Sequence, residues 1–152
     1  MAKKPKLHLY REWKTELKAE GYLDEAKDEE GRRQLTKCRA GTLELRVETG
    51  RWETVRVRGK EMRLQRNQRI CEVCFREVED ETHVLLKCPA YKAARAKLLG
   101  AAGVAAVQAA EQGGKDSKAE RKLVEWALAG EGQKSTMEFL RVMMRKRKQI
   151  LE

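Results

Sequence analysis

Four side chains able to bind a metal stand close together in the sequence: Cys71, Cys74, His83 and Cys88, in the pattern C-x2-C-x8-H-x4-C. Two cysteines separated by two residues can wrap a tight turn around one ion, with the backbone amides of that turn aimed at the thiolate sulfurs. A histidine and a third cysteine complete a tetrahedron, and a closed four-ligand shell is the mark of structural zinc. All four residues fall within 71–88 of a chain with only four cysteines and two histidines. Three thiolates against one divalent ion leave the site negative, and Arg69, Arg76 and Lys87 stand near enough in sequence to soften that charge. The competing readings are a cluster of reduced core thiols and a Cys71–Cys74 redox pair; the second lacks the flanking strand and helix of a thioredoxin-type motif. A catalytic zinc would need an open coordination position and a nearby general base, and four good ligands fill the shell. The expectation is one structural zinc and no enzyme. His8 and Cys38 lie far from the window; Cys38 reads as a small core residue.

The spacing constrains the elements that hold these ligands. His83 and Cys88 are five residues apart, about 140° around an ideal helix, so one regular helix cannot aim both at the same ion. This predicts a short helix beginning near Asp80 and ending around Leu86 or Lys87, Cys88 at a corner, and Pro89 opening the next helix. Val84, Leu85 and Tyr91 would pack the metal site against the rest of the domain.

Elsewhere the pattern is mainly α. Leu9 or Tyr10, Trp13 and Leu17 form a stripe within 6–20, stopped by Gly21, and Leu35 and Cys38 share the buried side of a second helix ending at Gly41. Leu43, Leu45 and Val47 alternate, as do Val55 and Val57. The stretch over 43–58 therefore reads either as a short hairpin or as helical turns broken at Gly50 and Gly59. A helix is expected from Ala90 to Leu99 before Gly100, and another over Ala101 to Ala110, with Gly113-Gly114 as a break. Ser117 with Glu120, and Ser135 with Glu138, read as capping boxes. The first would open a helix with Leu123, Val124, Trp126 and Leu128, ended by Gly130; the second would open a last helix with Met137, Leu140, Met143 and Met144. The organisation expected is an N-terminal helical arm over 1–34, a small zinc-knuckle domain over 35–100, and C-terminal helices over 101–152.

Composition narrows the partners. Of 152 residues, 38% are charged and 5% aromatic, with a net charge of +10, a mean hydropathy of −0.75 and a pI near 9.6. Such a chain is too polar for a large self-sufficient core, yet too rich in Leu, Val and Ala to be wholly disordered. Metal binding coupled to folding, worth about 10–16 kcal/mol for structural zinc, would compensate. The basic excess favours a polyanionic partner, RNA or DNA before a membrane, since no stretch approaches the length of a transmembrane span. The basic start, Lys3-Lys4-Pro5-Lys6, is followed by no apolar run of signal-peptide length, so the cysteines read as thiols or metal ligands in an intracellular protein.

Several stretches together resemble a known family. These are Thr36-Lys37-Cys38-Arg39-Ala40-Gly41-Thr42-Leu43, Glu48-Thr49-Gly50-Arg51-Trp52, Arg69-Ile70-Cys71-Glu72-Val73-Cys74, and Glu79 through Cys88-Pro89-Ala90-Tyr91. In order and spacing they are similar to the zinc-binding C-terminal tail of LINE-like (non-LTR) retrotransposon reverse transcriptases, over roughly Leu35 to Arg95. The resemblance implies zinc ligation by Cys71, Cys74, His83 and Cys88 and a role close to template RNA or target DNA. It brings no polymerase: the paired metal-binding aspartates of that domain are absent. It brings no endonuclease either, because neither proline, Pro5 or Pro89, is followed by Asp, and Lys115-Asp116-Ser117-Lys118 lacks partner carboxylates.

The basic residues Arg51, Arg56, Arg58, Lys60, Arg63, Arg66 and Arg69 outnumber Glu53 and Glu61, with Trp52 at the edge of the run. Arginines there would hold phosphate and Trp52 would stack on an unpaired base; alternatively Trp52 is core and the arginines a solvated surface. Arg145-Lys146-Arg147-Lys148 reads equally as helix-dipole complement or as a nuclear localisation or phosphate-binding tip, which would favour the nucleus over the cytoplasm. The expected function is a zinc-stabilised, non-catalytic nucleic-acid-binding module. The alternatives are a zinc-stapled scaffold using the Met-rich last helix for a protein partner, or a retroelement fragment without function.

Overall fold

Local capping chemistry sets the first helix. The computed structural model describes residues 11, 13, 14, 16, 18–24, 27–112 and 118–152. Asp28 accepts a hydrogen bond from the Gly31 amide at 2.8 Å and so caps α1 (Glu29–Ala40), whose first turn carries Glu29 and Glu30. Gly41 closes it with φ +67, its amide returning to the Cys38 carbonyl, while the Thr42 amide reaches the Lys37 carbonyl. The expected stop is therefore where the sequence places it, and Cys38 and Leu35 are fully buried beneath this helix.

The chain then departs from the alternating pattern. Leu43, Leu45 and Val47 are buried in alternation with Glu44 and Arg46, but they form no strand. Leu45 is extended and Arg46–Thr49 is a single helical turn, α2. The hairpin lies further on than 43–58: β1 (Thr54–Val57) pairs antiparallel with β2 (Lys60–Arg63), Thr54 opposite Arg63 and Val57 opposite Lys60. Its two-residue turn, Arg58-Gly59, has positive φ at both positions, the geometry that matches strand twist in tight hairpins. Both strands project from the core, and only Val55 among their residues is half-buried.

Helix α3 (Lys92–Gln112) follows a short turn at Pro89–Tyr91. Gly100 interrupts it with φ +58 and ψ −145, a conformation confined to glycine, which separates the two helical stretches expected from the sequence. Helices α4 (Lys118–Ala129) and α5 (Gln133–Leu151) complete the chain. The Ser135 capping box does not form: α5 starts at Gln133, two residues earlier, with Gly132 at its N-cap. The cause is a close approach, because a Cβ at residue 132 would lie 2.6 Å from ring atoms of Trp126. The stripe residues Leu9, Tyr10 and Leu17, the Gly113-Gly114 break and Ser117 of the other capping box lie outside the described residues.

Helix α5 packs against α1 and α3, and α4 packs against α3 and α5. One cluster of buried side chains runs from Tyr22 through Leu35, Leu85, Leu128 and Phe139 to Met143, and it includes Cys71 and Cys88. The mainly helical reading holds, with one small hairpin added to it. Among the described residues no helix is long and apolar enough to cross a membrane.

Candidate metal centre

Residues 70–79 fold back on themselves around the first cysteine pair. Ile70 bridges Val78 antiparallel, the Cys71 amide donates to the Glu77 carbonyl at 2.8 Å, and the Glu79 amide donates to the Arg69 carbonyl at 3.1 Å. At the tip, the Phe75 amide closes on the Cys71 carbonyl at 2.9 Å, and Phe75 adopts φ +57. The amides of Val73 and Cys74 point at the Cys71 sulfur and that of Arg76 at the Cys74 sulfur. This is the amide-lined turn that two cysteines at this spacing require.

The second pair comes from the next turn. Asp80 accepts from the His83 amide at 2.9 Å through its side chain and from the Val84 amide through its carbonyl, so the helix opens at Glu81 as expected. It then widens. The Cys88 amide bonds to the His83 carbonyl at 2.7 Å, a five-residue step, and His83–Lys87 is a π-helical turn. The wider turn brings residues five apart over one another, which an α-turn would leave far apart. Cys88 stands at the corner with φ −59 and ψ 120, Pro89 starts the next turn, and the Ala90 amide faces the Cys88 sulfur.

These two turns bring one donor atom each from Cys71, Cys74, His83 and Cys88 within 4.8 Å of one another. Such a group could hold one metal ion. Cys71, Cys88 and His83 are buried and Cys74 half-buried. His83 Nε2 lies 3.4 Å from Cys74 Sγ. On the other side of the ring, Nδ1 is buried without a hydrogen-bond partner, with Glu77 Oε2 3.6 Å away. Glu77 is thus beside the ring but beyond hydrogen-bond length, the side on which a carboxylate would orient a metal-binding imidazole. A hydrogen bond to Cys88, with burial, pushes the Cys71 thiol up to about 12; burial raises Cys74, and the Cys71 thiol lowers Cys88.

The cations around the cluster are not those that sequence proximity suggests. Arg69 donates to the carbonyls of Val47 and Leu64, Lys87 pairs with Glu120 at 3.2 Å, and Arg76 is exposed. Two residues that sequence reasoning missed take their place. Arg95 is only 1% exposed, and it donates to the carbonyls of Leu85 (2.6 Å), Cys88 (3.0 Å) and Val84 (3.1 Å), bracing the π-turn. Burial lowers it to about 10, opposed by the Cys88 sulfur. A buried guanidinium whose acceptors are all carbonyls favours a nearby anion, and the Cys88 sulfur, the one thiol of the cluster that is lowered, is the group beside it. Its position one helical repeat from buried Tyr91 and Leu99 is the sequence signal for it.

Arg147, from the basic run in α5, is buried too. It donates to both carboxylate oxygens of Glu79, at 2.9 and 2.7 Å. Glu79, itself fully buried, also accepts the Arg46 amide at 2.7 Å and stands 3.5 Å from Cys71 Sγ. The other members of the run are engaged as well: Arg145 with Glu30, Lys146 with the Ala90 carbonyl at 2.9 Å, and Lys148 with Glu152 at 3.4 Å. Arg147 is thus built into the fold, while Arg145, Lys146 and Lys148 remain exposed on the same helix. Met137 and Met143 are core residues, and Met144 is half-buried against that core.

Of the proposed basic surface, the structure gathers part. Trp52 is 71% exposed, with the guanidinium of Arg51 5.8 Å and that of Arg63 5.6 Å from its ring centre. Arg51 also pairs with Glu48 at 3.2 Å. Arg56 and Arg58 are exposed on β1 and its turn. Arg66 is exposed but pairs with Asp80 at 3.0 Å, and Arg69 is spent on the carbonyls named above. No family model, curated protein or solved structure matches the chain.

Proposed function

We propose that the chain is a zinc-stabilised, non-catalytic nucleic-acid-binding module, akin to the zinc-binding tail of LINE-like reverse transcriptases. The observation that carries the binding role is the exposed Trp52 between Arg51 and Arg63, beside the projecting Arg56 and Arg58. An indole left in water beside cations suits stacking on an unpaired base with phosphates at its edges.

Zinc is favoured by the donor set, three thiolates and one imidazole, in a closed shell. For Zn–S of about 2.3 Å and Zn–N of about 2.0–2.1 Å, a tetrahedron has S···N edges of about 3.5 Å; the Cys74–His83 pair, at 3.4 Å, already has that length. With the shell filled by protein, the ion has no position for substrate, which supports a structural role. Native mass spectrometry should find one zinc per chain. Binding to single-stranded RNA or duplex DNA should weaken steeply as salt rises; salt-independent binding, or none, would overturn the reading.

A further inference from the structure

The tip of the cysteine turn carries a residue whose placement is adverse twice over. Phe75 has φ +57, a region that bulky L-residues rarely adopt, and its side chain is 76% exposed. Core packing does not offset the exposure, since Phe75 is not among the residues of the core or those packed against it. A glycine would satisfy the backbone there without strain. The tip is also rigidly held. The Phe75 amide is bonded to Cys71, and the next amide, of Arg76, is committed to the Cys74 sulfur. Arg76 is exposed beside it and forms no ion pair with any described residue. With Arg66, Lys87, Glu77, Asp80 and Glu120 it lines a cleft of about 770 Å³ next to the centre, where Arg66 is paired with Asp80 and Lys87 with Glu120.

We propose that Phe75 is a second stacking platform, taking an unpaired nucleobase of single-stranded nucleic acid, with Arg76 meeting the adjoining phosphate. This rests on the nucleic-acid reading above and adds to it a site separate from Trp52. An aromatic ring on a backbone fixed by metal ligands loses little freedom on binding, which suits a flat, sequence-tolerant contact. Because the metal ligands Cys71 and Cys74 hold the tip, stacking at Phe75 depends on metal.

The test uses the full metal-loaded chain and unstructured uridine and thymidine dodecamers, with affinity read by fluorescence anisotropy. Phe75→Gly should lower affinity about tenfold, as should Phe75→Leu, whereas Phe75→Tyr should retain it. Phe75→Gly should at the same time keep one metal per chain and melt at the same or a higher temperature, because it removes the strained φ. Phenylalanine-selective labelling gives a direct readout, since the chain has two phenylalanines. Resonances of Phe75 should move on adding oligonucleotide and those of buried Phe139 should stay. Unchanged affinity in both Phe75→Gly and Phe75→Leu, with Trp52→Ala weakened, overturns the Phe75 platform and leaves the wider reading standing. No binding by the unaltered chain overturns both.

Discussion

Arginine does opposite work in two neighbouring regions of this molecule. Around the cysteine cluster Arg95, Arg147 and Arg69 are turned inward, their donors taken by carbonyls or by the buried Glu79. On the hairpin and its approach, Arg56 and Arg58 face water, and Arg63 flanks an exposed indole. A basic sequence is thus not a map of a basic surface. Part of the positive charge is spent inside the fold, around the cysteine cluster and the buried Glu79 carboxylate, and only the remainder stands on the surface.

The sharpest way to break this comparison is to remove the ion. Chelation, or Cys74→Ser, should abolish most of the helical circular dichroism signal, because about 10–16 kcal/mol of apparent binding energy is coupled to folding at such sites. A full spectrum after metal removal would mean that the inward arginines surround an ordinary core. Next in size is the Glu79–Arg147 pair. Arg147→Ala should destabilise the chain by about 3–5 kcal/mol in urea denaturation, since it strands a buried carboxylate. The double variant Glu79→Gln, Arg147→Met should recover part of that loss. An exposed arginine such as Arg58 should show no comparable cost when changed to Ala.

On the outward side, Trp52→Ala should cost about 1–3 kcal/mol of oligonucleotide affinity, with no fall in melting temperature. A large drop in stability would make Trp52 structural after all. Replacing Arg56, Arg58 and Arg63 with Gln should weaken binding for all sequences alike and reduce the salt slope by about 0.7–0.9 for each phosphate that is no longer neutralised. The smallest effect concerns acid. An ion pair with Arg39, at 3.0 Å, and Lys14 nearby hold Glu20 down to about 2, against an ordinary 4.5. Its contribution is present above pH 4.5 and lost as pH falls towards 2. The stability difference between the unaltered chain and Glu20→Gln should shrink over that range and be constant above it.

What the sequence made legible was local. The clustering of Cys71, Cys74, His83 and Cys88, the helix stop at Gly41, the break at Gly100 and the corner at Cys88 all follow from spacing and backbone chemistry within a few residues. What it hid was long-range. Arg147 meets Glu79 across 68 positions, a partner that nothing in its basic run announces. The alternation at Leu43, Leu45 and Val47 did report burial, but it runs through a bend and into a helical turn and not along a strand. The Val47 amide goes instead to the Glu79 carbonyl, in the cysteine turn. The start of α5 was hidden for a different reason: the Gly132 amide closes on the Trp126 carbonyl six residues back and packs against its indole, a turn that the Ser135 signal does not report. The placement of Trp52 in water, and not in the core, could be decided only by the fold around it.

The widened turn between His83 and Cys88 carries a consequence for how such a chain can change over generations. Substitutions within Val84–Lys87 alter packing, but losing or gaining one position would break the five-residue step and swing a ligand away from its partners. The count of residues there is fixed more strictly than their kind. The Arg58-Gly59 turn has no such arithmetic, so length variation should accumulate at the hairpin tip and be purged from the four positions between imidazole and thiol.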